Sequence, residues 1–233
     1  MKITTKTVAL IASFALVATG AFANSVILTP GLLTGGNQGG EFTATSVTLS
    51  NASYAASART GSTIGLGGSF ETFCMAYDQE FSYSETLGYT LANHTSDPSA
   101  IQSLTVGTAY LYSQFAKGAI TFTGSTAVAD MTNFQLALWW LQQSPGAPGL
   151  GLTAYSSLNS YEQLVYNLFG GEAGAQAAAG TSNYGVSIIV TTHSNGTYSQ
   201  PQLYYSVPDQ AATLALLGLA LMGLVGFRRR FAK

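Results

Sequence analysis

The chain has 233 residues, few charges and many aromatic side chains: 8 Lys and Arg, 10 Asp and Glu, a formal net charge of −2, and 12% Phe, Trp and Tyr. This charge balance lacks the basic surface that nucleic acid binding needs, so we exclude nucleic acid as a partner. Apolar residues make up 47% of the chain, and they can bury enough area to form a core, which argues against disorder.

The N-terminus has the three parts of a secretory signal peptide. Lys2 and Lys6 precede an apolar stretch at residues 8–17, and Ala21 and Ala23 form a small-x-small cleavage site. We therefore predict a signal peptide over residues 1–23 and a mature body over residues 24–206. That body has two basic and nine acidic residues, a formal charge of −7, so it favours cationic partners.

The first half of the body predicts strands. Residues 41–49 place Phe42, Ala44 and Val47 among hydroxyl residues, which indicates a strand, and residues 32–41 read as a turn or flexible loop. Two further strands are predicted at residues 70–77 and 87–91, around a polar loop.

The middle of the body predicts helices. In the first, residues 104–118, the spacing of Leu104, Ala109, Tyr112 and Phe115 is helical, and Gly118 is the expected C-terminal cap. The second helix lies within residues 125–146 and puts Phe134, Leu138 and Leu141 on one face before Pro145 and Gly146 end it.

A third helix is expected within residues 159–171. Ser160 and Gln163 form a capping-box pattern, Leu164 and Leu168 are expected to face the core, and Gly170 closes the helix. Residues 170–182 read as a low-complexity linker.

The end of the body predicts a β-hairpin over residues 184–206. Asn195-Gly196 is the turn signal, and Pro201 makes the second strand irregular or places it at an edge. Strands, a helical middle and then strands again predict an α+β domain, β-rich with a helical middle segment.

The C-terminus combines three signals. Residues 211–227 carry no charge, long enough for a helix that just spans a bilayer at ~1.5 Å per residue. Arg228, Arg229 and Arg230 follow and would stay on the cytoplasmic side. Ahead of the apolar segment stand Val207, Pro208 and Asp209. A tail anchor and a GPI signal are the alternatives, but GPI tails do not normally end in arginines.

This order of parts resembles the PEP-CTERM sorting signal of Gram-negative bacteria, whose commonest motif is Val-Pro-Glu-Pro. The resemblance implies that residues 207–233 are a sorting signal with a transmembrane helix at 211–227. It also implies a single-pass inner-membrane intermediate, processing near the motif by an exosortase-like enzyme, and delivery to the cell surface or the extracellular matrix.

Cys74 is the only cysteine and lies in the apolar stretch FCMAYDQ, while Gln135 lies in the apolar stretch NFQLALWW. One cysteine excludes an intramolecular disulfide, and the simplest interpretation of Cys74 is a small buried hydrophobe. The glutamine is harder to explain, because apolar neighbours would leave its amide without partners.

The two stretches resemble the signature segments of bacterial thioester domains, which are surface adhesion modules. Residues 73–75 match their aromatic-Cys-aliphatic strand, and residues 135–139 match their Gln-x-Ala-Leu-Trp segment, with Phe134 where the adhesins usually have Thr. The resemblance covers roughly residues 70–141. It implies an internal thioester between Cys74 and Gln135, behind a water-excluding apolar wall for which Phe73, Trp139 and Trp140 are the candidates.

The leading hypothesis is therefore an exported surface or matrix protein that forms one covalent amide with an amine on a surface polymer or protein. Such a reaction occurs once, so we expect no enzyme turnover, no cofactor and no metal. The alternative is a noncovalent structural matrix or biofilm protein in which Cys74 and Gln135 only pack.

Two further interpretations are weaker. A cysteine hydrolase would pair Cys74 with His94, but His94 lies in a polar loop without an orienting partner motif. A calcium site at Asp78, Glu80 and Glu85 lacks EF-hand spacing, so a solvated acidic loop is favoured.

Overall fold

The computed structural model describes residues 24–34, 40–45, 49, 69–93, 103–149, 151 and 154–206. The predicted signal peptide and the predicted sorting helix at 211–227 lie outside these residues, as does His94. Within the described ranges, no helix is both long enough and apolar enough to cross a bilayer.

The α+β prediction is confirmed: six antiparallel strands form one sheet, and the helices lie between the fourth and fifth strands. In chain order the elements are β1 (Ser25–Thr34), β2 (Gly40–Thr45), β3 (Ser69–Phe73), β4 (Thr86–Ala92), α1 (Val106–Ala116), α2 (Ala127–Gln142), α3 (Ser160–Leu168), α4 (Glu172–Ala175), β5 (Val186–Thr192) and β6 (Gln202–Tyr205). The strand order across the sheet is β3-β2-β1-β4-β5-β6.

The two outer strands of this order meet, so the sheet curls almost into a closed barrel. Beyond the end of β3, the amide of Met75 donates to the carbonyl oxygen of Pro201 at 3.0 Å. The hydroxyl of Thr72 donates to the carbonyl of Leu203 at 2.7 Å and accepts from the amide of the same residue at 3.1 Å. Tyr112 of α1 donates to a carbonyl on each strand, at 2.9 Å to Glu71 and 3.1 Å to Leu203. Pairing protects both sheet edges.

Successive side chains along the strands point to opposite faces of the sheet, so the domain has two apolar cores. One face of the curled sheet encloses an apolar cluster that includes Val26, Leu28, Phe70, Leu87 and Ile189. The other face of β3, β5 and β6 packs on the helices and forms the larger cluster. Helix α2 is buried on nearly all sides from Phe134 onward, which marks it as the central helix of the domain.

The predicted helix ends agree with the structure where the capping chemistry is local. Gly118 follows α1 at φ 75°, the left-handed conformation that favours glycine. The hairpin turn also lies where predicted, since the amide of His193 donates to the carbonyl of Thr197 across Asn195 and Gly196. Strand β6 begins only after Pro201.

Several expectations for α3 are wrong. Its cap is Asn159, whose side chain accepts from the amides of Tyr161 and Glu162, while Glu162 completes the box by accepting from Asn159. Leu164 and Leu168 are 43% and 51% exposed. The buried residues are Glu162 and Val165, because the helix packs on α2 through that side.

Two more expectations about the body are corrected by tertiary contacts. Residues 170–182 are not simply a linker: they contain α4, and the amide of Ala179 donates to Leu104 while Val106 donates to Ala177. Strand β1, which composition did not predict, contains Pro30. It pairs with β4 only over residues 25–27, so the missing donor of Pro30 breaks no bond on that side.

Candidate functional site

The end of β3 positions the cysteine. Strand β3 finishes at Phe73, and Cys74 forms an isolated antiparallel bridge with Gln202 at the start of β6. Its backbone is therefore held from both sides, by its own strand and by the closing edge of the sheet. The Cys74 side chain is fully buried.

Helix α2 brings the glutamine to the same point. Gln135 lies near the middle of α2 and is also 0% exposed. Its Nε2 donates to the carbonyl oxygen of Cys74 at 2.9 Å, and the Cys74 thiol donates to its Oε1 at 3.3 Å. The amide is thus oriented at both ends by one residue that is 61 positions away in sequence.

The structure therefore brings together the two residues that the sequence comparison paired. The thiol lies against the amide carbonyl group with no solvent exposure of either side chain. Whether the pair reacts stays a prediction.

Burial controls the electrostatics of the thiol. Desolvation raises the pKa of Cys74 from 9.0 to about 12, because an apolar site disfavours the thiolate. Three smaller effects lower this pKa: the Trp139 side chain and the backbone amides of Cys74 and Gly40. The resting group is a neutral thiol with N–H donors arranged around its sulfur.

The three predicted wall residues divide between two clusters. Trp139 packs with Cys74, Phe42 and Ala147, and its ring meets Tyr77 edge-on at 4.9 Å between centroids. Phe73 and Trp140 belong instead to the larger core between helices and sheet. The Phe73 ring lies 4.9 Å from Phe134 and 5.1 Å from Phe115. Only Trp139 therefore shares the apolar cluster of the thiol.

Trp139 also brings a polar group. Its indole Nε1 is buried and meets no acceptor in full hydrogen-bond geometry among the described residues, although the side chain lies near enough to lower the pKa of Cys74. The resting thiol is a weak acceptor, so it does not complete a hydrogen bond with this indole. A thiolate would be a much better partner for this donor.

The turn after α2 covers the site. Gln143 ends the helix at φ 51°, and Ser144 accepts a hydrogen bond from the Tyr77 amide at 2.7 Å through its Oγ. This bond ties the segment after Cys74 to the turn that carries Ala147. Phe42, Tyr77 and Ala147 were missed by sequence reasoning, because nothing in their local pattern shows that they converge on residue 74.

The residues of the predicted calcium site do not join this site. His193 pairs through Nδ1 with the Glu85 carboxylate at 2.7 Å. Asp78 and Glu80 are exposed. In the described part of the chain, no three His, Cys, Asp or Glu side chains come together in a way that could hold a metal ion.

A small cavity lies beside α2. It has a volume of about 240 Å³ and is lined by Asn133, Leu136, Pro148, Gly149, Ser157, Asn159 and Glu162. Leu136 also packs against the cluster that contains Cys74 and Trp139. The cavity and the thiol site are therefore neighbours across one helix residue.

Comparison with known families identifies the tail. A family profile described as the VPDSG-CTERM motif matches residues 206–231. The chain ends in a PEP-CTERM-like sorting signal. Val207, Pro208 and Asp209 agree with the described motif, whereas Gln210 and Ala211 stand where its name has Ser and Gly. Neither the curated proteins nor the solved structures contain a match to this chain.

The sorting signal accounts for the C-terminal end of the sequence. An exported protein that is processed at the membrane needs an N-terminal export signal and a C-terminal sorting signal, and the VPDSG-CTERM match supplies the second. It supports an exported protein sorted to the surface by an exosortase-like enzyme. The match overlaps the body only at residue 206, so it bears only on where the protein goes.

Proposed function

We propose that the protein is exported, held briefly in the inner membrane by residues 211–227, and released to the cell surface or matrix after processing near Val207, Pro208 and Asp209. The tail match supports the export and the processing. At the surface the body forms an internal thioester between Cys74 and Gln135 and attaches covalently to an amine.

One observation carries the thioester proposal: the sole thiol of the chain lies 3.3 Å from the Oε1 of a fully buried glutamine. The hydrogen bond from Nε2 to the Cys74 carbonyl prevents the amide from turning its nitrogen toward the sulfur. The carbonyl group therefore faces the thiol, and a small shift of Sγ from the oxygen to Cδ produces the attacking geometry.

The reaction conserves atoms without a cofactor. Sγ of Cys74 bonds to Cδ of Gln135, the Cδ–Nε2 bond breaks, and the thiol proton leaves with the nitrogen as ammonia. With a pKa of about 12, only about one thiol in 10⁵ is a thiolate at neutral pH. An effective molarity of order 10⁵ M or more for a preoriented pair offsets that scarcity.

The surroundings favour the product. The N–H groups of Trp139 and Gly40 would stabilise negative charge on sulfur while it attacks. Phe42, Trp139 and Ala147 keep water from the thioester, whose hydrolysis would end the chemistry. In the loaded state the energy of the thioester is available for a single transfer to an amine.

A noncovalent matrix protein is the second candidate, and a specific observation favours it. The two hydrogen bonds between Cys74 and Gln135 satisfy the amide without any reaction. Packing alone then explains why both groups are buried, since a buried polar group needs partners rather than chemistry.

Intact mass separates the two candidates. The purified body should be lighter than its sequence by one ammonia, and methylamine should add to it and release one thiol. Cys74→Ala and Gln135→Ala should each keep their full calculated mass and ignore methylamine. The noncovalent protein would be supported by a wild-type mass equal to that calculated from the sequence, together with one thiol that can be titrated in the unfolded protein before any methylamine is added.

A further inference from the structure

The cavity beside α2 has the chemistry of an amine site. The residues that line it include Glu162, Asn133, Ser157 and Asn159. Glu162 is only 3% exposed, and burial raises its pKa. One carboxylate oxygen accepts from the Asn159 amide at 2.7 Å as part of the helix cap. A buried carboxylate suits an alkylammonium ion.

The size of the cavity restricts the ligand. At about 240 Å³ it is smaller than the ~300 Å³ at which pockets for drug-sized ligands begin. It suits one flexible side chain or a small amine. The body that carries it has a formal charge of −7, which attracts cations to this surface.

Two elements separate the cavity from the thiol. Leu136 lines the cavity and also packs on the cluster of Cys74 and Trp139. On the other side, Ala147 packs in that cluster while Pro148 and Gly149 line the cavity. The cavity and the thiol are therefore separated only by the Leu136 side chain and by the short segment 147–149. Leu136 is only partly buried.

Resting on the thioester proposed above, we propose that this cavity receives the attacking primary amine, a lysine side chain of the partner, and that Leu136 is the gate between it and the Gln135 acyl group. Glu162 binds the ammonium form. After the amine loses one proton to water, its nitrogen bonds to Cδ of Gln135 and the C–S bond breaks. The second proton from nitrogen ends on Sγ, which restores the Cys74 thiol.

Two probes test the role of charge in the wild-type and variant proteins. Methylamine is a cation at neutral pH, whereas hydroxylamine is uncharged. Glu162→Gln keeps the capping box, since Gln serves in that position as well as Glu. We expect Glu162→Gln to slow the release of the thiol by methylamine about tenfold, which is the scale of a charged hydrogen bond. The rate of release by hydroxylamine should stay within about twofold of the wild-type rate.

The matched control is Glu80→Gln, which makes the same change in net charge at an exposed position. It should leave both rates within about twofold, because exposed charges act weakly at a distance. Equal slowing by both substitutions would show general attraction of cations instead of a site, and would overturn the assignment of Glu162.

The gate is tested with Leu136→Ala and Leu136→Phe. The smaller residue should accelerate both probes and also hydrolysis by water, while the larger one should slow both probes. Unchanged rates in both variants would show that the amine reaches Gln135 by another route. These failures are distinct from failure of the thioester itself, which intact mass shows as no loss of ammonia and which removes this proposal too.

Discussion

The buried thiol makes stability depend on pH in a way that reports its chemical state. In the unfolded chain the thiol titrates near 9.0, and in the folded protein near 12. Below about pH 9 it is neutral in both states. As pH rises from 9 toward 12, the unfolded chain releases the proton and the folded protein does not, so the folded state loses stability.

The size of the effect follows from the shift. Each pH unit between the two pKa values is worth about 1.4 kcal/mol, and the full interval is worth about 4 kcal/mol. Between about pH 8 and about pH 10, a protein with the free buried thiol should lose roughly 1 kcal/mol more than one without it. Urea unfolding at the two pH values measures the difference.

Two variants isolate the thiol. Gln135→Ala keeps the cysteine and cannot form a thioester, and the double variant with Cys74→Ala lacks the titrating group. Buried tyrosines such as Tyr161 and Tyr204, whose pKa values are raised by burial, titrate in both and cancel. Parallel loss of stability in the two variants would refute the placement of Cys74 in a dry site.

The wild-type protein is the third arm of the same measurement. If its sulfur is held in a thioester, its stability should follow the cysteine-free variant, because no thiol is left to titrate. If the thiol is free, wild type should follow Gln135→Ala. The same titration therefore separates covalent from noncovalent forms without a mass spectrometer.

Three other predictions concern the fold and the tail. Tyr112→Phe should cost about 1–3 kcal/mol of unfolding free energy, because the buried hydroxyl that links the Glu71 carbonyl of β3 to the Leu203 carbonyl of β6 is lost. Tyr198→Phe, at a 39% exposed position, should change the unfolding free energy by less than about 0.5 kcal/mol, and equal costs would argue against the closed sheet. In the same urea assay, Val165→Ala should lower the unfolding free energy by about 2 kcal/mol and Leu164→Ala by about 0.5 kcal/mol or less. A larger cost for Leu164→Ala would show that α3 packs on the domain through its other face. Replacing residues 228–230 with alanine should leave the tail uncleaved on exported protein, since the cytoplasmic anchor is lost; normal processing by intact mass would contradict it.

Local chemistry determined much of the fold in advance. Gly196 in the hairpin turn and Gly118 after α1 adopt φ values of 82° and 75°, which few other residues adopt, so short motifs were enough to predict both. Helices α1 and α2 were visible because their apolar residues recur at helical spacing. The C-terminal sorting signal is likewise a linear motif, because a match over residues 206–231 depends only on consecutive residues.

Tertiary structure decided the remainder, since it depends on contacts between distant segments. Leu164 and Val165 are adjacent and both apolar, and the packing of α3 on α2 determines which of them is buried. The joining of β3 to β6 pairs residues about 130 positions apart, as the bond from Thr72 to Leu203 shows. No periodicity within either strand encodes such a pairing.

The candidate site divides in the same way. Cys74 and Gln135 were predicted from the sequence, because two short motifs resemble the signature segments of thioester domains. The distance of 3.3 Å between Sγ of Cys74 and Oε1 of Gln135 arises only when the end of β3 meets the middle of α2. The indole donor of Trp139 and the cavity behind Leu136 are likewise products of packing. The residue types determine which reactions are chemically possible. The fold determines which atoms touch, because residues that are far apart in sequence come together only when the chain folds.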